Sequence, residues 1–265
     1  MTTTPKTGLG NVTPVVPSRP ASTTSTTSQM DVNISVTDLY TIGIGPSSSH
    51  TVGPMRAAKR FVDRLNSEDL LLKTDRVLVE LYGSLALTGH GHATDMAILL
   101  GLSGKRPSAV DPEEVQPLIA KIRTSGSISL NGAHAIPFFE DQSLLFLKDE
   151  LLPEHSNGMR FYAFSKDGEE LLSRDYFSVG GGYVVSHNEG DRAETRGHNI
   201  SLPYPFTSAD ELLALGKESG LSIAEMMLAN ESSWRSEEET FAFLDDVNDA
   251  MINCIKRGCE GVGVL

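Results

Sequence analysis

Twice in this chain a polar, glycine-framed stretch runs straight into an apolar helical pattern. The first is "GIGPSSSHTVGP" at residues 43–54. Its glycines and prolines disfavour a continuous helix or strand. Five small polar side chains, Ser47, Ser48, Ser49, His50 and Thr51, fill its centre. Immediately afterwards Met55, Ala58, Val62 and Leu65 recur at helical spacing. The second stretch is "YGSLALTGHGHATD", residues 82–95, which opens onto a helix, with "HATDMAILLGLSG" reading as a buried helix ending at Gly101 or Gly104. A stretch of the first kind is either a flexible linker or a loop built to hold something small.

The remaining pattern is mixed. "RVLVELYG" is rich in β-formers and bounded by Gly83, and "SLLFLKDELL" also reads as a strand. Residues 159–185 read as a hairpin around a Lys-Asp-Gly turn. "DPEEVQPLIAKIR" predicts a helix with Asp111 as N-cap and Pro112 at its first position. Near the end, Ser208 with Glu211, Ser222 with Glu225 and Ser236 with Glu239 each fit the Ser-x-x-Glu capping box. The third of these helices should run to Arg257 and end at Gly258. The fold class is therefore α+β: a domain over 33–205, then a helical segment over 206–265. Residues 1–32 are mostly Thr, Ser, Pro, Gly and Val and read as a disordered tail, with Met30 as an alternative start. The tail lacks the apolar core of a signal peptide.

Charge and cysteine content narrow the function classes. The 265 residues carry a net charge of −13, which argues against a nucleic-acid or anionic-membrane surface. No apolar run reaches the roughly 18 residues of a membrane helix. Two cysteines, Cys254 and Cys259, make no disulfide scaffold and fit a reducing compartment.

Four segments are candidate sites. At 47–51, hydroxyls together with the free N–H groups of a helix start suit a carboxylate or phosphate. Plain capping needs only one serine of that loop. In the second loop His92 is a candidate general base, oriented by Asp95 or Thr94. His90 and His92 form a weak metal pair, and a loop histidine is more often structural. "PEHSNGMRF" carries His155 and Asn157 before a strand, where Asn-Gly reads first as a turn. Gly180–Gly182 suggests a bulge or a close backbone approach. No P-loop, dinucleotide fingerprint or G-x-S-x-G elbow is present.

In this order, "GIGPSSSHTVGPM", "YGSLALTGHGHATD", "HSNGMRF", "SVGGGYVV" and "PYPFTSADELL" closely resemble the N-terminal half of the iron–sulfur-dependent L-serine dehydratases (L-serine ammonia-lyases). The resemblance runs from about Asn33 to Leu265. It implies a lyase that converts L-serine to pyruvate and ammonia with a [4Fe–4S] cluster and without pyridoxal phosphate. It implies a domain like the allosteric substrate-binding domain of some phosphoglycerate dehydrogenases. It points to His92 as the base, to Ser47–Thr51 as the substrate-facing loop, and to His155 and Asn157 as active-site borders. His90 stands where relatives often have lysine, and Ala93 where some have a second histidine. The implied setting is cytoplasmic serine catabolism feeding gluconeogenesis, in a homo-oligomer of the complete enzyme.

One departure bears on chemistry. A [4Fe–4S] cluster with an open iron needs three cysteine ligands. This chain has two, in a C-x4-C spacing, so they read as structural or incidental and no metal ligands are expected here. Relatives carry their ligands downstream, on a cluster-bearing α domain or chain. The sequence thus reads as a truncated gene, a fragment or a true β chain. The expected roles are the β part of the lyase, a stand-alone small-anion or serine-binding regulatory module, or a poorly folded remnant.

Overall fold

The computed structural model describes residues 34–186 and 200–263. The tail expected at 1–32 lies outside the described residues. Over the described residues the chain is α+β, built on a five-stranded mixed sheet and a separate two-stranded hairpin.

The first element among the described residues is a one-turn helix α1 (Val36–Leu39), whose N-cap Ser35 and Asp38 form a capping box. Helix α2 (Gly53–Ser67) follows a π-helical turn at Ser48–Val52. This turn corrects the expectation that "GIGPSSSHTVGP" is non-helical. The Ser47 carbonyl accepts hydrogen bonds from both the Thr51 and Val52 N–H groups, which winds the serines into the start of α2. A short 3₁₀ turn at Leu71–Lys73 then leads into strand β1 (Arg76–Tyr82). Alternate residues Val77, Val79 and Leu81 of β1 are buried, the period-two signature of a strand with one core face.

The second stretch is also helical where a loop was expected. Gly83–Thr88 forms α3, Gly89–His92 a 3₁₀ turn, and Thr94–Leu102 forms α4. Ala93, at φ +55°, supplies the change of direction between the last two. Helix α5 (Pro112–Ser125) begins with the Asp111 side chain accepting from the Glu113 N–H, as expected. The hairpin of β2 (Ser127–Leu130) and β3 (His134–Pro137) was not anticipated. The turn of α6 (Glu140–Ser143) precedes β4, which spans only Leu144–Leu147 of the longer strand expected there. Strands β5 (Gly158–Phe164), β6 (Glu170–Gly180) and β7 (Tyr183–Val185) complete the sheet.

The sheet order is β4-β1-β5-β6-β7, parallel only at β1–β4. A register shift between Ser178 and Gly180 gives the expected bulge at the triple glycine. Helices α2 and α4 bury Met55, Phe61, Leu65, Ile98 and Leu102 in one core with Val79, Phe161 and Tyr176 of the sheet. Gly101 brings the two helices into backbone contact: a Cβ there would sit 2.3 Å from the Met55 carbonyl oxygen.

The last helices are α7 (Ala209–Ser219), α8 (Ile223–Glu231) and α9 (Glu237–Glu260). Two of the three expected capping boxes are complete. At the first, Ser208 accepts from the Glu211 N–H, but the Glu211 carboxylate turns to the Thr207 N–H and hydroxyl. Helix α9 runs past the expected stop at Gly258 to Glu260, with Gly261 as cap. Leu213, Phe241, Met251, Ile252 and Ile255 remain exposed along this segment. No helix among the described residues is long and apolar enough to cross a membrane.

Candidate functional site

The two polar stretches meet because each fastens the other. The Thr51 hydroxyl donates to the His92 carbonyl at 2.7 Å, and the Thr94 hydroxyl donates to the His50 carbonyl at 2.5 Å. Both threonines are buried, at 3% and 0% exposure, so these hydroxyls act as fasteners between loops rather than as open contacts. The exchange places the His50 and His92 rings 4.9 Å apart between centroids. Both lie at the start of a helix, where unpaired N–H groups and the helix dipole favour an anion.

His92 is held by its Nδ1, which donates to the Thr88 carbonyl at 3.0 Å. A carbonyl only accepts, so the proton of the neutral ring is on Nδ1 and the Nε2 lone pair is available. Nε2 has no hydrogen-bond partner among the described residues. The orienting group is therefore a backbone carbonyl, not Asp95 or Thr94 as the sequence suggested. Asp95 instead takes a 2.8 Å ion pair from Arg123, which also holds Glu140, and its oxygen stands 4.0 Å from His90 Nδ1. The four-residue step from Thr88 to His92 is one helical turn, which puts the carbonyl under the ring. His90 stacks on Phe146, with ring centroids 4.2 Å apart.

His50 is enclosed by two serines. Its Nδ1 is 2.9 Å from the Ser49 hydroxyl and its Nε2 is 2.9 Å from the Ser84 hydroxyl. Burial, and then the neighbouring charge of His92, push its pKa below the ordinary 6.5, with the Ser84 hydrogen bond working the other way. It is thus neutral at neutral pH, and one imidazole can accept a proton beside a second that stays uncharged.

The third segment is tied in through serines that sequence reasoning missed. Ser84 donates its N–H to the Ser156 carbonyl at 2.9 Å while its hydroxyl meets His50. Ser178, fully buried on β6, donates its hydroxyl to the Ser49 carbonyl at 2.7 Å, and its own carbonyl accepts from Asn157 Nδ2 at 3.1 Å. His155 Nδ1 accepts the Asn157 N–H at 3.0 Å. Only the glycines of "SVGGGYV" drew notice in the sequence, although its serine makes the contact. Gly83 fits because its φ is +52° and a Cβ would lie 2.4 Å from the Ser156 carbonyl oxygen.

Ser47 accepts the His50 N–H at 3.1 Å and so acts as a cap. The Ser48 and Ser49 N–H groups and the Ser48 hydroxyl have no partner among the described residues, and Ser48 is exposed. These donors, with His92 Nε2, are what the site presents to a ligand.

The iron–sulfur cluster implied by the resemblance does not fit the residues of this chain. Cys254 and Cys259 are both exposed on α9, two thiols where three are needed. Among the described residues no group of three or more His, Cys, Asp or Glu side chains is placed to hold a metal ion.

Comparison with known proteins gives one answer. The family described as serine dehydratase beta chain matches residues 35–189. The chain is 47% identical over 232 residues to the L-serine dehydratase of Streptomyces coelicolor, covering 88% of this chain and 51% of that protein. It is 46% identical over 235 residues to L-serine dehydratase TdcG of Escherichia coli, covering 88% and 50%. It is 42% identical over 234 residues to the L-serine dehydratase of Mycobacterium tuberculosis, again covering 88% and 50%. The chain thus spans about half the length of the curated relatives it matches. The match begins at Ser35 and runs through the serine turn, both histidines and β7, so the fastened loops lie inside it, and the chain belongs to the serine dehydratase beta chain family.

Proposed function

We propose that this chain is the β part of an L-serine ammonia-lyase, forming pyruvate and ammonia from L-serine by α,β-elimination together with an α part. The observation that carries the reading is the pairing of an accepting His92 Nε2 with the open donors at Ser48 and Ser49. The serine carboxylate is anchored by those N–H groups and the Ser48 hydroxyl at the N-terminal end of α2. His92 Nε2 takes the Cα proton, and the freed electron pair forms the Cα–Cβ double bond as the β-hydroxyl leaves. The resulting aminoacrylate tautomerises to an imine, which water hydrolyses to pyruvate and ammonia. His50 stays neutral and, with Ser49 and Ser84, fixes the loop that holds the carboxylate. Polarising the hydroxyl is assigned to the α part, where the resemblance implies a [4Fe–4S] cluster as Lewis acid.

On this reading residues 33–205 are the β domain and 206–265 lead into the α part. The exposed apolar side chains of α9 are suited to such a partner. The cellular setting is cytoplasmic serine catabolism feeding gluconeogenesis, in an oligomer of the complete enzyme. The test is anaerobic reconstitution with a cluster-bearing α part, followed by pyruvate formation. His92→Ala should lower kcat by at least about a hundredfold, while His155→Ala should act mainly on KM. Undiminished turnover in His92→Ala would overturn the assignment of the base.

A further inference from the structure

A groove of about 1190 Å³ runs along α2, lined among others by Arg56, Lys59 and Arg60 of that helix. None of Ser47–Thr51, His92, His155 or Asn157 lines it. Its wall is basic, although the chain as a whole is acidic at −13. Arg56, Lys59 and Arg60 stand at i, i+3 and i+4 on α2 and so share one face. Arg106 and Arg235 line the same groove, against two carboxylates, Asp38 and Glu239. Both carboxylates are already engaged: Asp38 takes the Ser35 N–H and the Tyr183 hydroxyl, and Glu239 takes the Ser236 N–H.

The cations differ in what they have left to offer. Lys59 pairs with Asp63 and Arg235 with Glu231. Arg56 and Arg106 make no ion pair among the described residues. Arg56 donates from Nη1 to the Gly182 carbonyl at 2.8 Å, a bond that fixes the guanidinium without neutralising it. The triple glycine makes this possible. Gly182 has φ +78°, and a Cβ there would sit 2.9 Å from Val52 Cγ1 and 3.4 Å from Arg56 Nη1. The Thr41 hydroxyl, also lining the groove, donates to the Gly181 carbonyl at 2.9 Å. The result is a fixed guanidinium and an exposed one in a single concave site, the arrangement that suits a planar or tetrahedral dianion.

We propose that this groove is a binding site for a small dianion, either a dicarboxylate or a phosphate group, held by Arg56 and Arg106 and separate from the serine-facing loops. The test is titration calorimetry of the full chain with succinate and with inorganic phosphate, at ionic strength matched with sodium chloride. Acetate serves as the monoanion control. One of the two dianions should bind at one per chain, at least about tenfold tighter than acetate. Arg106→Gln, at an exposed position, and Arg56→Gln should each weaken that binding about tenfold or more. Lys121→Gln, away from the groove, should leave it unchanged. Circular dichroism of Arg56→Gln checks that the fold is retained, and Arg106→Gln carries the test if it is not. No saturable heat from either dianion, equal affinity for acetate, or unchanged affinity in Arg106→Gln would each overturn the proposal.

Discussion

Replacing Gly53 by alanine would put a methyl group 2.1 Å from the Ser178 hydroxyl oxygen and 2.8 Å from the Ser178 Cβ. Gly53 is the first residue of α2 and already has helical backbone angles, φ −57° and ψ −58°. Alanine is therefore conformationally acceptable there, and in isolation would gain up to about 1 kcal/mol of helix propensity. The collision decides the sign. Over-packing a tight contact costs about 1–3 kcal/mol, and displacing Ser178 also strains its bond to the Ser49 carbonyl, worth about 1 kcal/mol. Gly53→Ala alone should destabilise by about 1–3 kcal/mol. Ser178→Gly alone should cost about 2 kcal/mol, from the lost hydrogen bond and a glycine in a strand. In that background both collisions vanish, and the third contact of the added methyl is 3.6 Å from the Ser48 carbonyl oxygen, an ordinary distance. Gly53→Ala should then be neutral or stabilising. The assay is urea unfolding of the four proteins of the cycle, followed by far-ultraviolet circular dichroism. With slopes of about 1–3 kcal/mol per molar, a coupling of about 1.5 kcal/mol displaces midpoints by roughly 0.5–1.5 M. Additivity within about 0.5 kcal/mol would refute the claim that Gly53 exists to let α2 touch β6.

Three further outcomes are expected. Gly83→Ala should destabilise by at least about 2 kcal/mol, since it forces alanine to φ +52° and drives its Cβ onto the Ser156 carbonyl oxygen; thermal unfolding should fall by several degrees. His50, with a folded-state pKa below 6.5, resists protonation in the fold. Its contribution to stability is full above pH 6.5 and is lost as pH falls through the window beneath it, so His50→Asn should flatten that part of a urea-midpoint-against-pH profile. Arg235→Ala leaves the Glu231 carboxylate, 6% exposed, without its cation, and should cost about 3 kcal/mol. Hydrogen exchange should then accelerate at Val36, whose N–H is held by that carboxylate.

The elements with strong periodicity or caps were legible in the sequence. These were α2, β1, α4, α5, the β5–β6 hairpin and the three helices that follow Ser208. What escaped was either short or decided by distant partners. "SISLNGAHAIP" contains an Asn-Gly signal, and Asn131 and Gly132 do take positive φ, but the flanking strands are only four residues each. The serine turn defied its glycines and prolines because two N–H groups converge on one carbonyl, a pattern no residue-type rule encodes. The candidate site was legible as a set of residues but not as a set of roles. Thr51, Thr94 and Asp95 looked like ligands or orienters, and only their partners reveal two fasteners and a surface ion pair. Ser84 and Ser178 carry no local signal at all, because their significance lies in a carbonyl 129 residues away in one case and a histidine 34 residues away in the other.

The backbone contact of Gly101 with Met55 has a consequence for how this chain tolerates change in length. Helices α2 and α4 start beside each other, and the polar loops are carried on those starts. One residue inserted between Gly53 and Ala58 would turn everything upstream by about 100° around the helix axis and advance it by about 1.5 Å. His50 would swing away from His92 while the core below stayed in place. The helix pair behaves as an angular gauge: side chains along it can be exchanged for others of like size, but its residue count up to the glycine contact is fixed.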